Sequence, residues 1–221
     1  FNKEIININN ILWKINKIKI FTEKNPTKEI LEFDSKNEQI FSIVKNHDLQ
    51  KLLNNKLKKS KLVKFRIIDN YKDVIKQKYK LIINNNPNHQ ISKSFFYNKI
   101  EKNYDSCAYT TIINHKRYAD NKTAFQNFTI NGPIAFLPFS ETQTSVVCSF
   151  INKSKKENLN INNLIKKYNP VYSITKIKDH SVFKLKSSNL RKYYQDNILA
   201  FGDLLHKIHP LAGQGFNMSL R

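Results

Sequence analysis

Short apolar stretches separated by turn residues open the chain. Ile18 and Ile20, then Ile30, Leu31 and Phe33, flank the turn-forming run Lys24-Asn25-Pro26-Thr27, and predict two strands of a hairpin between Ile11 and Phe33. From Asp48 the period changes. Leu49, Leu52, Leu53 and Leu57 recur at helical spacing, with lysines and asparagines on the opposite side, and predict an amphipathic helix. Leu62–Ile68 is a β-like run. The compact apolar run from Tyr79 to Ile83 stops abruptly at Asn84-Asn85-Asn86-Pro87-Asn88, which reads as a buried strand followed by a tight loop. In the middle third, Cys107–Ile113, Thr123–Ile130, Ile134–Phe139 and Ser145–Ile151 are rich in Thr, Phe, Tyr, Val and Ile, with turn residues between them. They predict one antiparallel sheet. A polar stretch, Lys153–Asn163, precedes a short helix at Leu164, Ile165 and Tyr168; strand returns at Ser181–Leu185. Finally, Ile198-Leu199-Ala200-Phe201 predicts a brief strand running straight into Gly202-Asp203. No internal repeat is present in this pattern.

Composition narrows the class. With 221 residues, 40% hydrophobic and 12% aromatic, the chain has material for one large or two small domains with a real core, and is not a disordered tail. Its net charge of +21 invites a nucleic-acid reading, but of 38 basic residues only Arg66, Arg117, Arg191 and Arg221 are arginine. Arginine's planar fork is the usual tool for bidentate phosphate and base contacts. Scattered lysines amid abundant Asn and Ile fit drift toward AT-rich codons better, so nucleic acid is not the expected partner. Cys107 and Cys148, the only two cysteines, make neither a disulfide framework nor a Cys-rich zinc site. The expected setting is reducing and cytoplasmic. No apolar run approaches the ~18 residues of a membrane span, and no charged-then-apolar leader opens the chain; a soluble or membrane-peripheral protein is expected. The chain starts at Phe1 without an initiator and stops at Arg221 inside an apparent helix, which reads as a piece of a longer protein.

Chemistry concentrates near the end. Glycine occurs only at Gly132, Gly202, Gly213 and Gly215, and three of these fall in one short segment running from Gly202-Asp203 through His206, His209 and Pro210-Leu211-Ala212 to Gly213-Gln214-Gly215-Phe216-Asn217. A strand ends, a carboxylate follows, and a loop from proline to glycine enters a helix. Glycines at a helix entrance let bare backbone N–H groups approach a ligand, and the helix dipole there favours negative charge. An anionic or electron-rich ligand suits such a place; glycine for packing alone is the other reading. For Asp203 the alternative is a helix N-cap.

The whole string, Gly-Asp, two residues, His-x-x-His-Pro-x-x-Gly-Gln-Gly-x-Asn, closely resembles the terminal motif of class A flavin monooxygenases, and within them most resembles the ubiquinone-biosynthesis hydroxylases. Two further stretches are similar: Thr123–Phe128 through Gly132–Pro138, and Val44–Leu49. The resemblance implies a mixed α/β chain of the p-hydroxybenzoate hydroxylase fold, a partial FAD-binding domain interleaved with an antiparallel substrate sheet. It implies substrate-sheet segments at 1–40 and 94–190, and FAD-binding segments at 41–93 and 191–221. Asp203 would then accept hydrogen bonds from the ribityl chain of FAD, an acceptor-only carboxylate facing sugar-like hydroxyls. Gly202, Leu211, Ala212 and Gly213 to Asn217 would complete the cofactor site, with helix-entrance amides against the pyrimidine edge where reduced flavin is anionic. Pro210 would fix the loop beside the reactive flavin carbon, as the residue nearest to catalysis. Gly132, Pro133, Phe136 and Pro138 would lie over the flavin as substrate contacts, although Phe136 and Phe139 read equally as sheet core. By the same resemblance NAD(P)H reduces the FAD, oxygen adds to form a flavin hydroperoxide, and a polyprenylated phenol is hydroxylated. That substrate lives in the bilayer, so the implied location is peripheral to the inner face of a membrane, with other ubiquinone-biosynthesis proteins as further partners.

Four departures motivate rival readings. The Gly-x-Gly-x-x-Gly fingerprint of dinucleotide-binding folds is missing, as expected if it lies upstream. Asn84-Asn85-Asn86-Pro87 stands where the family carries an Asp-Gly pair, so the turn can survive but the carboxylate does not. His47 replaces an arginine of many relatives, and Leu204-Leu205 replace small residues. A catalytically impaired homologue serving as a partner-binding scaffold is therefore the alternative. A metal site at Asp203, His206 and His209 is a lesser one, because Pro210 and the missing fourth ligand argue against it.

Overall fold

The computed structural model describes residues 7–25, 28–36, 38–151, 160–208, 215 and 219. By internal packing the chain divides into two compact units, 1–63 with 107–183 and 64–106 with 184–221.

In the first unit, β1 (Leu12–Ile15) pairs antiparallel with β4 (Phe41–Val44), and β2 (Lys17–Thr22) pairs antiparallel with β3 (Leu31–Asp34) in the register Lys17↔Asp34 to Ile20↔Leu31. The predicted hairpin is thus β2 and β3. The leucine-spaced helix is α1 (Asn46–Lys59), which buries Leu49, carries Asp48 in its first turn and Lys56, Lys58 and Lys59 in its last, and so complements its own dipole. The β-like run after it forms no strand among the described residues. Leu62 and Ile67 are 95% exposed; β-type side chains there have no paired neighbour or core to hold them extended.

The second unit supplies α2 (Tyr71–Lys76), capped by Asn70, then β5 (Ile82–Asn84) and α3 (Gln90–Phe95). The strand is shorter and later than the pattern predicts: Ile82 and Asn84 are buried, whereas Tyr79, Leu81 and Ile83 are exposed. A long strand, β6 (Lys99–His115), runs from this unit into the first.

Next come β7 (Thr123–Thr129), β8 (Gly132–Pro138) and β9 (Gln143–Ile151), the antiparallel strands that the β-rich middle predicts, in the order β6-β9-β8-β7-β2-β3. The sheet is mixed rather than wholly antiparallel, because β2 joins β7 in parallel, Lys17↔Thr123 to Thr22↔Phe128. Alternation sets its core. Ile134, Phe136 and Pro138 of β8 are buried while Pro133, Ala135 and Leu137 remain partly exposed, as the two-residue period of a strand requires. α4 (Ile161–Lys167) lays Ile161 and Ile165 on the buried face, with Ile113, Phe125, Val146, Cys148, Phe150 and Tyr172. β10 (Ile174–Ile177) adds to β6, and β11 (Ser181–Leu190) returns toward the second unit.

There β12 (Tyr194–Gln195) and β13 (Ile198–Ala200) form a tight hairpin whose turn places Asp196 at φ 53°, and β13 runs parallel to β5, Ile198↔Ile82 to Ala200↔Asn84. A single 3-10 turn at Gly202–Leu204 follows, and β14 (His206–Lys207) pairs with β11. Ile82, Ile91, Phe96, Leu190, Ile198, Ala200 and Leu204 form this unit's core.

Candidate functional site

Two parallel strands of the second unit end side by side, and parallel strands characteristically present their carboxyl ends to ligands. At the end of β13 the chain turns through Gly202, whose φ of 60° lies in the left-handed region that glycine enters without strain. Asp203 follows with its carboxylate exposed, anchored from behind by buried Leu204. Asp203 is not an N-cap: Phe201 occupies that position, and the turn has no side-chain cap.

At the end of β5, the Asn84 carbonyl accepts a hydrogen bond from the Phe201 N–H at 2.9 Å, tying the two strand ends together. Asn85 Cβ lies 3.8 Å from where a side chain on Gly202 would begin, an ordinary contact that leaves the glycine backbone uncrowded. The asparagine run keeps its turn by local bonds. Asn86 N–H donates to Asn84 Oδ1 at 3.3 Å, Asn88 N–H to Asn86 Oδ1 at 2.9 Å, and His89 N–H to the Asn86 carbonyl at 3.2 Å. This is how a loop without the Asp-Gly pair still closes. Beneath it, the Asn84 amide donates to Ser92 Oγ at 2.7 Å, and that hydroxyl donates to the Asn86 carbonyl at 2.5 Å. The sequence marks Asn84 only as part of the loop that replaces the Asp-Gly pair, and does not single out Ser92. A lone polar side chain ending an apolar strand is a usable signal elsewhere; in a chain this rich in asparagine it disappears.

Of the terminal motif, Gly215 and Ser219 are helical, and the Ser219 hydroxyl donates to the Gly215 carbonyl at 3.3 Å. Among the described residues, no heavy atom lies within 4 Å of where a Gly215 side chain would begin. Pro210, Leu211, Ala212, Gly213, Gln214, Phe216 and Asn217 lie outside the described residues, as does His209. His206 sits in β14, not on a helical face with Asp203, and its Nδ1 is 3.1 Å from Asn189 Oδ1. Its partner is thus on β11 rather than within its own loop. Among the described residues no cluster of three His, Cys, Asp or Glu side chains could hold a metal.

The residues of β8 belong to the first unit. Gly132, at φ 133°, faces Ser149 so closely that a Cβ would lie 1.9 Å from its carbonyl oxygen, which makes glycine obligatory in this hairpin. Phe136 and Pro138 are fully buried, Phe136 with its ring centroid 6.2 Å from that of Tyr172. Pro133 is partly exposed on the other face, beside Ala135 and Leu137 in alternation.

A second polar cluster, also missed by pattern, lies under this sheet. His115 Nδ1 is 2.9 Å from the Lys116 carbonyl and Nε2 is 3.0 Å from Thr144 Oγ1. A carbonyl only accepts, so Nδ1 carries the proton and the Thr144 hydroxyl donates to Nε2. Tyr172 OH donates to Asn121 Oδ1 at 3.0 Å, and the Asn121 amide donates to the Ser140 carbonyl at 2.8 Å. Burial pushes the Tyr172 hydroxyl up to about 12 and the Cys148 thiol likewise up to about 12, so neither ionises near neutrality.

The fold is that of FAD-dependent monooxygenases of the p-hydroxybenzoate hydroxylase type, a mixed α/β chain dominated by sheet. It matches CmlS, a flavin-dependent halogenase, with a TM-score of 0.70 at 13% identity over 94% of this chain and 44% of that one. It matches PqsL of Pseudomonas aeruginosa, described as a probable FAD-dependent monooxygenase, with a TM-score of 0.68 at 13% identity over 95% of this chain and 66% of that one. At such identities the likeness is one of fold.

No family model matches the chain. Curated relatives sharpen the class. The mitochondrial ubiquinone biosynthesis monooxygenase COQ6 of Danio rerio is 26% identical over 172 residues, covering 60% of this chain and 36% of that protein. The 3-demethoxyubiquinol 3-hydroxylase of Escherichia coli (strain K12) is 34% identical over 106 residues, covering 45% of this chain and 27% of that protein. The chain therefore resembles the ubiquinone-biosynthesis hydroxylases among the flavin monooxygenases, and it matches about a third of the length of these relatives.

Proposed function

We propose that the protein is an FAD-dependent monooxygenase that hydroxylates the ring of a polyprenylated phenol in ubiquinone biosynthesis, with NAD(P)H as reductant and O2 as co-substrate. The observation that carries this reading is the junction of β13 and β5, where Gly202 bends the chain without steric cost and leaves the Asp203 carboxylate exposed beside the Asn84–Asn86 loop. The residues fit the cofactor. An exposed acceptor-only carboxylate suits sugar-like hydroxyls, and Gly202, with Asn85 Cβ at 3.8 Å as its near neighbour among the described residues, leaves bare backbone that a ligand can approach.

FAD would supply the redox chemistry, taking electrons from NAD(P)H and passing them to dioxygen, one atom of which enters the ring. Everything else falls to the chain. Asp203 would accept hydrogen bonds from the ribityl chain, placed there by the turn at Gly202. Gly213, Gln214, Gly215, Phe216 and Asn217 would complete the cofactor site, as the resemblance implies. Pro210, Leu211 and Ala212 would belong to the same site, with Pro210 as the residue nearest to catalysis. On β8, Gly132 and Pro133 contribute to the substrate surface while Phe136 and Pro138 stiffen the strand from its buried side. In functional terms FAD binding is assigned to 41–93 and 191–221, and the substrate sheet to 1–40 and 94–190. Titration of the full-length protein with FAD, followed by NADPH oxidation with and without an added prenylated phenol, tests the reading. A protein that binds FAD but never accelerates NADPH oxidation with any phenol would favour the scaffold alternative raised by the missing Asp-Gly pair.

A polyprenylated phenol partitions into the bilayer, so the enzyme works peripherally at a membrane surface, where lysines attract anionic headgroups. No helix among the described residues is long and apolar enough to cross a membrane. Liposome pelleting should rise with anionic lipid content and fall with salt; pelleting indifferent to both contradicts the membrane part of the proposal.

A further inference from the structure

We propose that Ser92 is a positioning residue for cofactor binding, acting through Asn84; the inference rests on the FAD reading above. Both side chains are buried, with Ser92 at 3% and Asn84 at 8% exposure, although a serine and an asparagine ordinarily face solvent. Burial of polar atoms is tolerated only when they are paired. Here the pairing has a direction.

The Asn84 side chain uses its oxygen for the Asn86 N–H at 3.3 Å and its amide for Ser92 Oγ at 2.7 Å; the Ser92 hydroxyl then donates to the Asn86 carbonyl at 2.5 Å. One hydroxyl thereby serves as acceptor for the end of β5 and as donor for the loop that follows. The same Asn84, through its main-chain carbonyl, receives the Phe201 N–H at 2.9 Å, one residue before Gly202 and two before Asp203. Ser92 itself reaches neither Asp203 nor solvent. It fixes the path of the Asn84–Asn86 loop, and the loop sets the wall against which Gly202 turns, with Asn85 Cβ 3.8 Å from the glycine's missing side chain.

Removing the hydroxyl leaves the buried Asn84 amide without its partner and takes one of two donors from the Asn86 carbonyl, which keeps the His89 N–H, so the loop loses the bond that ties it to α3. The test uses the full-length protein and FAD, read by quenching of flavin fluorescence and by the visible circular dichroism of the bound flavin. Ser92→Ala should raise the Kd for FAD about tenfold and change the dichroic band, while the melting temperature of the apo-protein moves little. Asn84→Asp keeps the acceptor for Asn86 but cannot donate to Ser92, and should weaken FAD in the same direction; the double variant should bind no worse than the weaker single one. The single Asn84→Asp variant also carries the test if Ser92→Ala does not fold. Variants that bind FAD like the wild type with an unchanged dichroic band, or that lose only apo stability, would overturn the positioning role and leave the FAD reading intact. A wild-type protein that binds no FAD would remove both.

Discussion

The sheet of the first unit and the paired strand ends of the second both bury polar side chains, but they use them differently. Under the sheet, His115, Thr144, Asn121 and Tyr172 join one another and nearby carbonyls within a core of Phe125, Ile134, Phe136 and Val146. That network stitches elements together. In the second unit, Ser92 and Asn84 support a loop whose next residues, Asn85 and Asn86, are exposed, and which lies beside the exposed Asp203. The difference separates polar groups that hold a fold from polar groups that present a surface. The two glycines carry the same contrast: Gly132 is demanded by a neighbouring carbonyl, Gly202 by backbone conformation alone.

The largest expected effect breaks the first region. Gly132→Ala drives a methyl into the Ser149 carbonyl and should cost about 3 kcal/mol or more, enough to unfold a marginal domain; chemical denaturation measures it. Phe136→Ala empties a fully buried position and should cost about 3–5 kcal/mol. Gly202→Ala, by contrast, meets no crowded atom and pays only for its positive φ, about 1–2 kcal/mol. Equal losses at the two glycines would erase the distinction.

A smaller effect is pH-dependent and sits at the edge of the sheet. Glu23 accepts from the Ile130 N–H at 2.8 Å, from Tyr168 OH at 2.5 Å and from Lys167 Nζ at 3.1 Å. The Ile130 backbone bond first, then Tyr168 and Lys167, lower its carboxyl from 4.5 to about 2. A lowered carboxylate stabilises the folded state fully above its unfolded value and ceases to do so as pH falls through the folded one. The stability gap between wild type and Glu23→Gln should therefore be constant above pH 4.5 and shrink as pH falls toward 2. The side chain is 33% exposed, so solvent screening limits the gap to about 1 kcal/mol. The least effect is expected at Cys148: with its thiol pushed up to about 12 by burial, it should resist alkylation in the native protein and react only on unfolding.

Periodicity made much of the fold legible. α1, the middle strands, α4 and the strand before Gly202 follow from apolar patterning because each has a face packed on a core, whereas the β2–β3 hairpin, with β3 wholly exposed, is marked by the turn residues between its strands. Leu62–Ile68 misled because β-type residues specify a strand only when a neighbour pairs with them. Tyr79–Ile83 misled in its limits, since apolar character there marks exposed side chains as well as Ile82. The parallel seam of β2 and β7 joins residues about a hundred positions apart, which no local pattern encodes. At the candidate site, Gly202 and Asp203 were legible as a motif after a strand. Ser92 was not, because its role is set by a partner on another element.

The most direct test of the account is an FAD titration of the full-length protein alongside Asp203→Ala. The account predicts tight binding by the wild type, a Kd at least tenfold higher in the variant, consistent with the ~1.5–3 kcal/mol carried by hydrogen bonds to a charged group, and apo melting temperatures that agree. Equal flavin affinity in the two proteins would contradict it.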